Sequence, residues 1–225
     1  NFTKMQGCGN DYVYVDAFVE NVKDPSSLAR AIADRHYGVG GDGLILIEPS
    51  DRADAFMRMY NLDGSEGSMC GNGIRCCAKY IYDHGYIPPE RLTASIDTRA
   101  GLREVSLSIK NSRVTSVTVD MGTPRLTSDL PEPITVRGMA LSFIGIDMGN
   151  PHAVYFTEDN PALGVSDVRA LPLATLGPDF ENHPRFPDRV NSEFIRIIRR
   201  GEIDFRVWER GSGETLACGT GACAA

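Results

Sequence analysis

Two stretches of the sequence repeat each other, MRMYNLDGSEGSMCGNG (Met57–Gly73) and FRVWERGSGETLACGTG (Phe205–Gly221). They align without a gap and place Cys70 opposite Cys218, an offset of 148 positions. The same alignment makes five further pairs: Arg58 with Arg206, Tyr60 with Trp208, Glu66 with Glu214, Gly71 with Gly219, and Gly73 with Gly221. Such a repeat indicates that the chain contains two copies of one structural unit.

A second repeat lies upstream of each cysteine. The segment GNDYVYV (Gly9–Val15) resembles GNPHAVY (Gly149–Tyr155). Each half therefore contains a Gly-Asn turn, a strand and, later, a Cys-Gly-x-Gly segment. Coincidence between glycine-rich turns would not place both pairs in the same order, so we interpret the chain as a duplication. The predicted domains are residues 1–118, which hold the Cys70 motif, and residues 119–225, which hold the Cys218 motif.

The local pattern predicts one central helix and several strands in each half. Residues 72–84 carry apolar side chains at the spacing i, i+3, i+4, i+7 of a helix with one apolar face: Ile74, Cys77, Ala78 and Ile81. A shorter helix is predicted at residues 25–34, with Asp24 as its N-cap. Strands are predicted at residues 11–19, 44–48, 55–60, 92–97, 103–110, 114–121, 134–147, 153–157, 191–199 and 204–209, with a linker at 123–133. These patterns favour an α+β fold of two similar domains.

Composition excludes several classes of partner. Hydrophobic residues make up 42% of the chain and charged residues 24%, as in an ordinary globular protein. The net charge of −7 and the absence of a long basic tract argue against nucleic acid and anionic membranes. No apolar run approaches the roughly 18 residues of a membrane span, and the N-terminal residues lack the apolar core of a signal peptide.

The cysteines and the chain ends give two further expectations. Without a secretion signal, the six cysteines are expected to be reduced thiols, which predicts a cytoplasmic protein. The chain starts at Asn1 without Met and stops at Ala225, within what is predicted to be the first turns of a helix. A helix this short is marginal in water, so we expect that further residues complete the second half.

Each repeated cysteine precedes a glycine-flanked turn that opens a helix. The first N–H groups of a helix have no partner inside it and carry partial positive charge, so they attract an anion such as a carboxylate. The same field favours thiolate over thiol. Cys70 and Cys218 are therefore each predicted to combine an anion pocket with an activated thiol.

Two such thiols suit one reaction in particular. Inverting a tetrahedral carbon through its C–H bond needs a base on one face and an acid on the other. One thiolate and one thiol would supply that pair. Donors aimed at the carboxylate would stabilise the carbanion that forms. We therefore interpret Cys70 and Cys218 as catalytic.

The cysteines allow other interpretations. Most cysteines are small buried hydrophobes, and Cys8, Cys76, Cys77 and Cys223 are expected to be of this kind. A zinc site is disfavoured because the paired Cys-x-x-Cys hooks of structural zinc are missing. A phosphate cradle is disfavoured because no Walker motif is present. No metal is therefore expected.

Several segments together resemble diaminopimelate epimerase over nearly the whole chain. They are FTKMQGCGNDYVYVD (Phe2–Asp16), DRHYGVGGDGLILI (Asp34–Ile47), NLDGSEGSMCGNGIRC (Asn61–Cys76), MGNPHAV (Met148–Val154), RVN (Arg189–Asn191) and WERGSGETLACGTGACA (Trp208–Ala224). The resemblance implies an isomerase of lysine and peptidoglycan biosynthesis that interconverts LL- and meso-diaminopimelate without pyridoxal phosphate or another cofactor. It further implies a homodimer, and two domains that are each a barrel-like, mostly antiparallel sheet around a helix.

The resemblance also assigns roles to residues. Cys70 and Cys218 match the acid and base pair. Backbone groups of Gly71, Asn72, Gly219 and Thr220 match those that hold the reacting carboxylate. Substrate binding, largely at the distal centre, falls to Asn10, Asn61, Asn150, Asn191, Glu209 and Arg210, and His152 matches an assisting histidine beside the site. Elementary chemistry agrees in two cases: the planar fork of Arg210 suits a carboxylate, and the carboxylate of Glu209 suits an ammonium group. Glu209 is also a possible assisting group.

One position departs from the family, and two rival functions stay open. Many members carry a substrate-contacting glutamine after the Asp of the Gly-Val-Gly loop, whereas here Asp42 is followed by Gly43. That contact is expected to be lost or made by other groups. The closest rival is another two-cysteine racemase, acting on proline, hydroxyproline or histidine. A thiol redox or metal-binding module is the rival from a different class.

Overall fold

The computed structural model describes residues 1–225, which divide into two compact units, Asn1–Met121 and Gly122–Ala225. Each unit is a mainly antiparallel sheet with few helices. The predicted α+β class is confirmed.

The first unit, unit 1, contains eight strands and two helices. The strands are β1 (Thr3–Gly7), β2 (Asn10–Asp16), β3 (Gly43–Glu48), β4 (Ala55–Asn61), β5 (Glu66–Gly67), β6 (Thr93–Asp97), β7 (Arg103–Lys110) and β8 (Arg113–Val119), and the helices are α1 (Pro25–Ala33) and α2 (Gly71–Asp83). The sheet order is β1-β2-β3-β4-β6-β7-β8, with β5 paired to β4. The β2–β3 and β4–β6 pairs are parallel, and their connections carry α1 and α2, since parallel neighbours need a crossover.

Helix α2 forms the centre of unit 1. The four side chains predicted to form its apolar face are fully buried: Ile74, Cys77, Ala78 and Ile81. The helix contacts strands β1, β2, β4, β6, β7 and β8, so the sheet curves around it. The periodic pattern thus places the first Cys-Gly-x-Gly segment at the start of a helix that the core holds on several sides.

The second unit, unit 2, has seven strands and two helices. The strands are β9 (Arg125–Leu126), β10 (Glu132–Val136), β11 (Met139–Asp147), β12 (Pro151–Phe156), β13 (Asn191–Arg199), β14 (Glu202–Glu209) and β15 (Gly213–Thr215), and the helices are α3 (Leu173–Glu181) and α4 (Gly219–Ala224). Three short 3-10 turns lie at Thr157–Asp159, Pro161–Leu163 and Val168–Ala170. The sheet order is β10-β11-β12-β13-β14-β15, with β9 on β11 and a parallel β12–β13 pair.

Equivalent contacts occur in both units. Arg58 Nε donates to Glu66 Oε1 at 2.9 Å between β4 and β5. At the matching positions of β14 and β15, Arg206 Nε donates to Glu214 Oε1 at 2.7 Å. The repeated sequence therefore folds into a repeated hairpin that leads into each cysteine turn.

Two secondary-structure predictions were wrong, and one helix was missed. Residues 134–147 are two strands, because Arg137 and Gly138 both have positive φ (51° and 78°) and make a tight hairpin turn. Helix α3 was not predicted, because Gly177 and Pro178 are poor helix formers. It lies 148 positions after α1, at the offset of the two cysteines. The segment expected to be a linker, 123–133, contains β9 and the start of β10.

No helix of the structure is long and apolar enough to cross a membrane.

The core of unit 2 supports a stability prediction at Phe180, which is fully buried and packs edge-on at 5.0 Å against both Tyr155 and Phe194. Phe180→Ala should lower the free energy of unfolding by about 3–5 kcal/mol through lost burial and a residual cavity. Urea unfolding followed by the fluorescence of Trp208, which lies in this unit, measures it. Phe2→Ala, at a side chain 57% exposed, should change it by less than about 0.5 kcal/mol. Equal effects of both changes would contradict the assigned core.

Candidate active site

Cys70 is the N-cap residue of α2. Its backbone is extended (φ −136°, ψ 111°), and its Sγ accepts the N–H of Gly73 at 3.2 Å. A Cβ at Gly73 would lie 2.6 Å from Cδ1 of Ile45. Glycine is therefore required here for close packing, which brings the N–H groups of the first turn of the helix to the sulfur.

A polar network positions the amide of Asn10 beside Cys70. The S–H of Cys70 donates to Asn10 Oδ1 at 3.3 Å, and Asn10 Nδ2 donates to Asp42 Oδ2 at 2.6 Å. Arg35 donates to both Asp11 and Asp42. The turn before Asn10 places Cys8 and Gly9 at positive φ (54° and 83°). The predicted Gly-Asn turn thus delivers an amide to the cysteine of the same unit.

Asn61 ends β4 directly opposite Gly43 on β3. Its Nδ2 donates to Ser65 Oγ at 3.1 Å. A Cβ at Gly43, whose φ is 153°, would lie 2.0 Å from the carbonyl oxygen of Tyr60. The strand pairing therefore leaves no room for a side chain at position 43.

Cys218 repeats the arrangement of Cys70 at the start of α4. Its Sγ accepts the N–H of Gly221 at 3.3 Å and lies 3.4 Å from the hydroxyl oxygen of Thr220. Thr220 Oγ1 accepts from Asn150 Nδ2 at 3.2 Å. In both units an asparagine of the Gly-Asn turn is thus connected to the cysteine, directly in unit 1 and through Thr220 in unit 2.

The charge environment of Cys218 differs from the expectation of an activated thiolate. Burial raises the pKa of the Cys218 thiol well above its ordinary range, and the nearby carboxyl group of Glu209 raises it further. Hydrogen bonds from Thr220 and the helix N–H oppose this shift but are smaller. At Cys218 desolvation therefore outweighs the field of the helix end and favours the thiol over the thiolate.

His152 lies beneath this turn as one member of a buried pair. Its Nδ1 is 2.6 Å from Glu193 Oε1, and its Nε2 is 3.0 Å from Asn150 Oδ1. Both side chains of the pair are completely buried. Burial raises the pKa of the Glu193 carboxyl, which the interaction with His152 partly offsets.

Glu209 also lies close to the cysteine. It accepts a short hydrogen bond from the Thr215 hydroxyl. Burial raises the pKa of its carboxyl group.

Asn191 and Arg210 form a second part of the site in unit 2. Asn191 Oδ1 accepts from the backbone N–H of Arg210 at 2.9 Å, and its Nδ2 donates to the carbonyl of Pro151 at 2.8 Å. The amide of Asn191 is thus used within the protein and holds the segment that carries Arg210. Arg210, Asn150 and His152 line a cleft of about 590 Å³ that also presents Arg125, Arg185 and Arg189.

One group of side chains has the composition of a metal site. His152, Glu193 and Cys218 each place a potential ligand atom within 4.8 Å of the others. Both ring nitrogens of His152 already take part in hydrogen bonds. A metal ion would have to displace one of them, so we interpret this group as a hydrogen-bonded network.

Both cysteine turns lie within the part of the chain that matches a known protein family. The family described as Diaminopimelate epimerase matches residues 2–127 and 144–225. The chain belongs to the diaminopimelate epimerase family. The predicted resemblance is confirmed.

Curated members of the diaminopimelate epimerase family align over the whole chain. Proteins named diaminopimelate epimerase from Agathobacter rectalis and Geobacillus kaustophilus are 48% and 47% identical to it. The alignments cover 99% and 100% of this chain, and 81% and 79% of those relatives. The relative from Methanococcus maripaludis is 45% identical over 99% of this chain and 81% of its own length.

Solved structures share the fold of the family at much lower identity. A probable proline racemase from Agrobacterium radiobacter aligns with a TM-score of 0.76 at 16% identity, covering 98% of this chain and 74% of that one. A hydroxyproline epimerase from Agrobacterium vitis aligns with a TM-score of 0.75 at 18% identity, covering 98% and 73%. These likenesses establish the two-unit fold.

Sequence reasoning missed two polar residues of this site. Asp42, which holds Asn10, was noted only as the neighbour of Gly43. Glu193 was not noted as a site residue, although it is an acidic residue within a strand whose first five positions are buried. The repeat holds the signal: Glu193 lies at the offset of 148 positions from Ile45, an apolar core residue.

The burial of Cys218 predicts its reactivity. Because iodoacetamide reacts with the thiolate, Cys218 should be alkylated at pH 7.5 at least about tenfold more slowly than the exposed Cys8 and Cys223. Mass spectrometry of peptides after timed labelling measures the three rates. In urea the difference should disappear, which is the control for intrinsic reactivity. Faster labelling of Cys218 in the native protein would contradict the raised pKa.

The departure at position 43 yields a second prediction. Gly43→Gln should lower the free energy of unfolding by about 3 kcal/mol, because its Cβ would overlap the Tyr60 carbonyl oxygen. Thermal unfolding measures the loss. In Gly138→Ala a positive φ is strained but the space around the Cβ is open, so about 1 kcal/mol is expected. A Gly43→Gln protein as stable as the parent would show that β3 accommodates the side chain.

Proposed function

We propose that the protein is a cofactor-independent epimerase that interconverts LL- and meso-diaminopimelate, with Cys70 and Cys218 as the acid and base. The observation that carries the proposal is the matched pair of cysteine caps in a chain of the diaminopimelate epimerase family. Each sulfur accepts the N–H of the third residue of the helix that it caps. Two thiols at matching helix ends suit a reaction that runs in both directions.

Each thiol would carry the proton in one half of the reaction. A thiolate removes the α-proton and becomes a thiol, while the other thiol protonates the carbanion from the opposite face and becomes a thiolate. The raised pKa of Cys218 supports its acting as the proton donor from the resting state. In the reverse direction the roles are exchanged, since the products leave the two sulfurs in the opposite protonation states.

The first turns of α2 and α4 would stabilise the intermediate. The N–H groups of Gly71, Asn72, Gly219 and Thr220 belong to these turns. Such N–H groups carry partial positive charge and can bind the carboxylate of the reacting centre, where negative charge grows as the proton leaves. Since these donors are fixed before the substrate binds, little reorganisation is needed during the reaction.

Several polar side chains are proposed to hold the distal end of the substrate. Arg210 can bind a carboxylate through its planar fork, and its segment is held by Asn191. Arg210 shares a cleft with Asn150, and the other arginines of that cleft are paired with carboxylates of the protein, so Arg210 would be the group that binds the distal carboxylate. Asn10 and Asn61 would offer amide groups to the substrate. Glu209 and His152, which lie near Cys218, would act as assisting groups.

Biological context follows from this activity. Diaminopimelate is a precursor of lysine and of peptidoglycan, so we place the enzyme in those biosynthetic routes. We further propose that it acts in the cytoplasm, where its six cysteines would stay reduced, and that it forms a homodimer, which size-exclusion chromatography with light scattering would test.

Solvent isotope exchange tests the two-base mechanism. In D₂O, the parent should convert LL-diaminopimelate to meso-diaminopimelate with deuterium at the inverted α-carbon. Cys70→Ala and Cys218→Ala should each reduce kcat by at least about 1000-fold, because each loses one of the two proton-transfer groups. Cys223→Ala, which changes an exposed thiol, is the matched control. NMR and mass spectrometry of the product measure exchange and inversion.

Two outcomes of that experiment would contradict the proposal. Retained epimerisation in either active-site cysteine variant would remove the two-thiol mechanism. Turnover of proline, hydroxyproline or histidine, without turnover of diaminopimelate, would keep the mechanism and replace the substrate.

A further inference from the structure

The buried acid of unit 2 lies directly behind the first turn of α4. Glu193, on β13, has no exposed side-chain surface, and its Oε1 is 2.6 Å from His152 Nδ1. A Cβ at Gly221 would lie 2.5 Å from the same oxygen. The glycine that completes the Cys218 turn therefore makes room for a carboxyl group.

Unit 1 lacks this pair at the equivalent positions. Behind α2, a Cβ at Gly73 would lie 2.6 Å from Cδ1 of Ile45, the counterpart of Glu193. Tyr12 takes the position of His152 in the upstream repeat. In both units a glycine of the helix packs against a side chain of a strand that belongs to a parallel pair, β3 in unit 1 and β13 in unit 2. Only in unit 2 is that side chain an ionisable acid. Because burying an acid costs free energy unless it is paired, the difference points to a task specific to Cys218.

A chain of hydrogen bonds connects Glu193 to the sulfur. His152 Nε2 is 3.0 Å from Asn150 Oδ1, Asn150 Nδ2 donates to Thr220 Oγ1 at 3.2 Å, and Thr220 Oγ1 is 3.4 Å from Cys218 Sγ. Because the amide oxygen of Asn150 only accepts, Nε2 must carry a proton. The proton state of Nδ1 then depends on Glu193 alone.

The surroundings of Glu193 favour its protonated form. Its Oε2 is buried and has no hydrogen-bond partner. The titratable groups near it are His152 and Tyr155 from β12, Glu209 from β14, and Cys218 at the start of α4. Apart from His152 none of these can carry positive charge, so a carboxylate would leave an unpartnered anionic oxygen among neutral or negative groups. A carboxylic acid can instead donate its proton to Nδ1.

We propose that Glu193 is a positioning residue for the epimerisation, which rests on the proposed function. By donating to Nδ1 it holds the imidazole neutral, with its proton on Nε2, and so orients Asn150 and Thr220 toward the sulfur of Cys218. The pair makes the two cysteines inequivalent: Asn10 accepts directly from Cys70, whereas Cys218 is approached by a hydroxyl that the His152–Glu193 pair orients.

Nitrogen NMR tests the protonation state without any need for activity. The chain has four histidines, and comparing spectra of the ¹⁵N-histidine-labelled full chain with those of His152→Gln assigns the His152 signals. We expect a neutral ring protonated at Nε2 in the parent and in Glu193→Gln, whose amide N–H can donate to Nδ1. Glu193→Ile, which installs the residue type that unit 1 carries, should lose that single form. An imidazolium in the parent, or an unchanged ring in Glu193→Ile, would overturn the proposal.

Kinetics test the consequence for catalysis. Glu193→Ile should lower kcat about 10- to 100-fold with a smaller change in KM, because the groups around Cys218 lose their alignment. Glu193→Gln should restore kcat to within about threefold of the parent by keeping the hydrogen bond. Phe194→Leu, the next buried residue of β13, is the control and should lower stability without lowering kcat. Circular dichroism and Trp208 fluorescence check that each variant is folded.

The two readouts separate the possible failures. Equal loss in Glu193→Gln and Glu193→Ile would show that charge rather than orientation matters and would overturn the positioning role. If Phe194→Leu lowered kcat as much as Glu193→Ile, the effect would be structural and the proposal would fail. A parent without activity on diaminopimelate would overturn the proposed function, while the NMR experiment would still decide the state of the pair.

Discussion

A cysteine sulfur that accepts a backbone N–H in the first turn of a helix is the contact on which each half of this protein depends. It requires the cysteine to be an extended N-cap residue and the third helical residue to be a glycine, because Ile45 or Glu193 occupies the space behind that glycine. The sheet supplies that neighbour through a parallel pair of strands. The cysteine, the glycine and the strand residue behind them therefore depend on one another. A substitution at one of the three positions would disturb the contacts of the other two.

The duplicated halves keep this contact and differ in what supports it. In unit 1 an amide bonded to Asp42 faces the thiol, and Arg35 neutralises the carboxylate near the surface. In unit 2 the support is the His152–Glu193 pair, completely removed from solvent. A reaction that needs a base and an acid at the same moment benefits from two thiols in different environments. After a duplication, the two copies can keep the same backbone while the residues around each thiol diverge.

Fold and substrate are decided by different parts of the molecule. Structures named as a probable proline racemase and a hydroxyproline epimerase share this fold at 16% and 18% identity. The fold alone therefore does not identify the amino acid that this chain binds. Under the proposed function, that selection would fall to side chains such as Arg210.

The sequence by itself determined the duplication, the two cysteine turns and the central helix of unit 1, since these depend on residues close together in the chain. The spacing of Ile74, Cys77, Ala78 and Ile81 is a local signal, and all four are buried as it predicts. Helix α3 escaped local reasoning because of Gly177 and Pro178. Only the tertiary structure decided that Glu193 meets His152, because β12 and β13 pair in parallel across a long crossover that includes α3. It also decided the raised pKa of Cys218, since desolvation depends on everything packed around a group and not on its sequence neighbours.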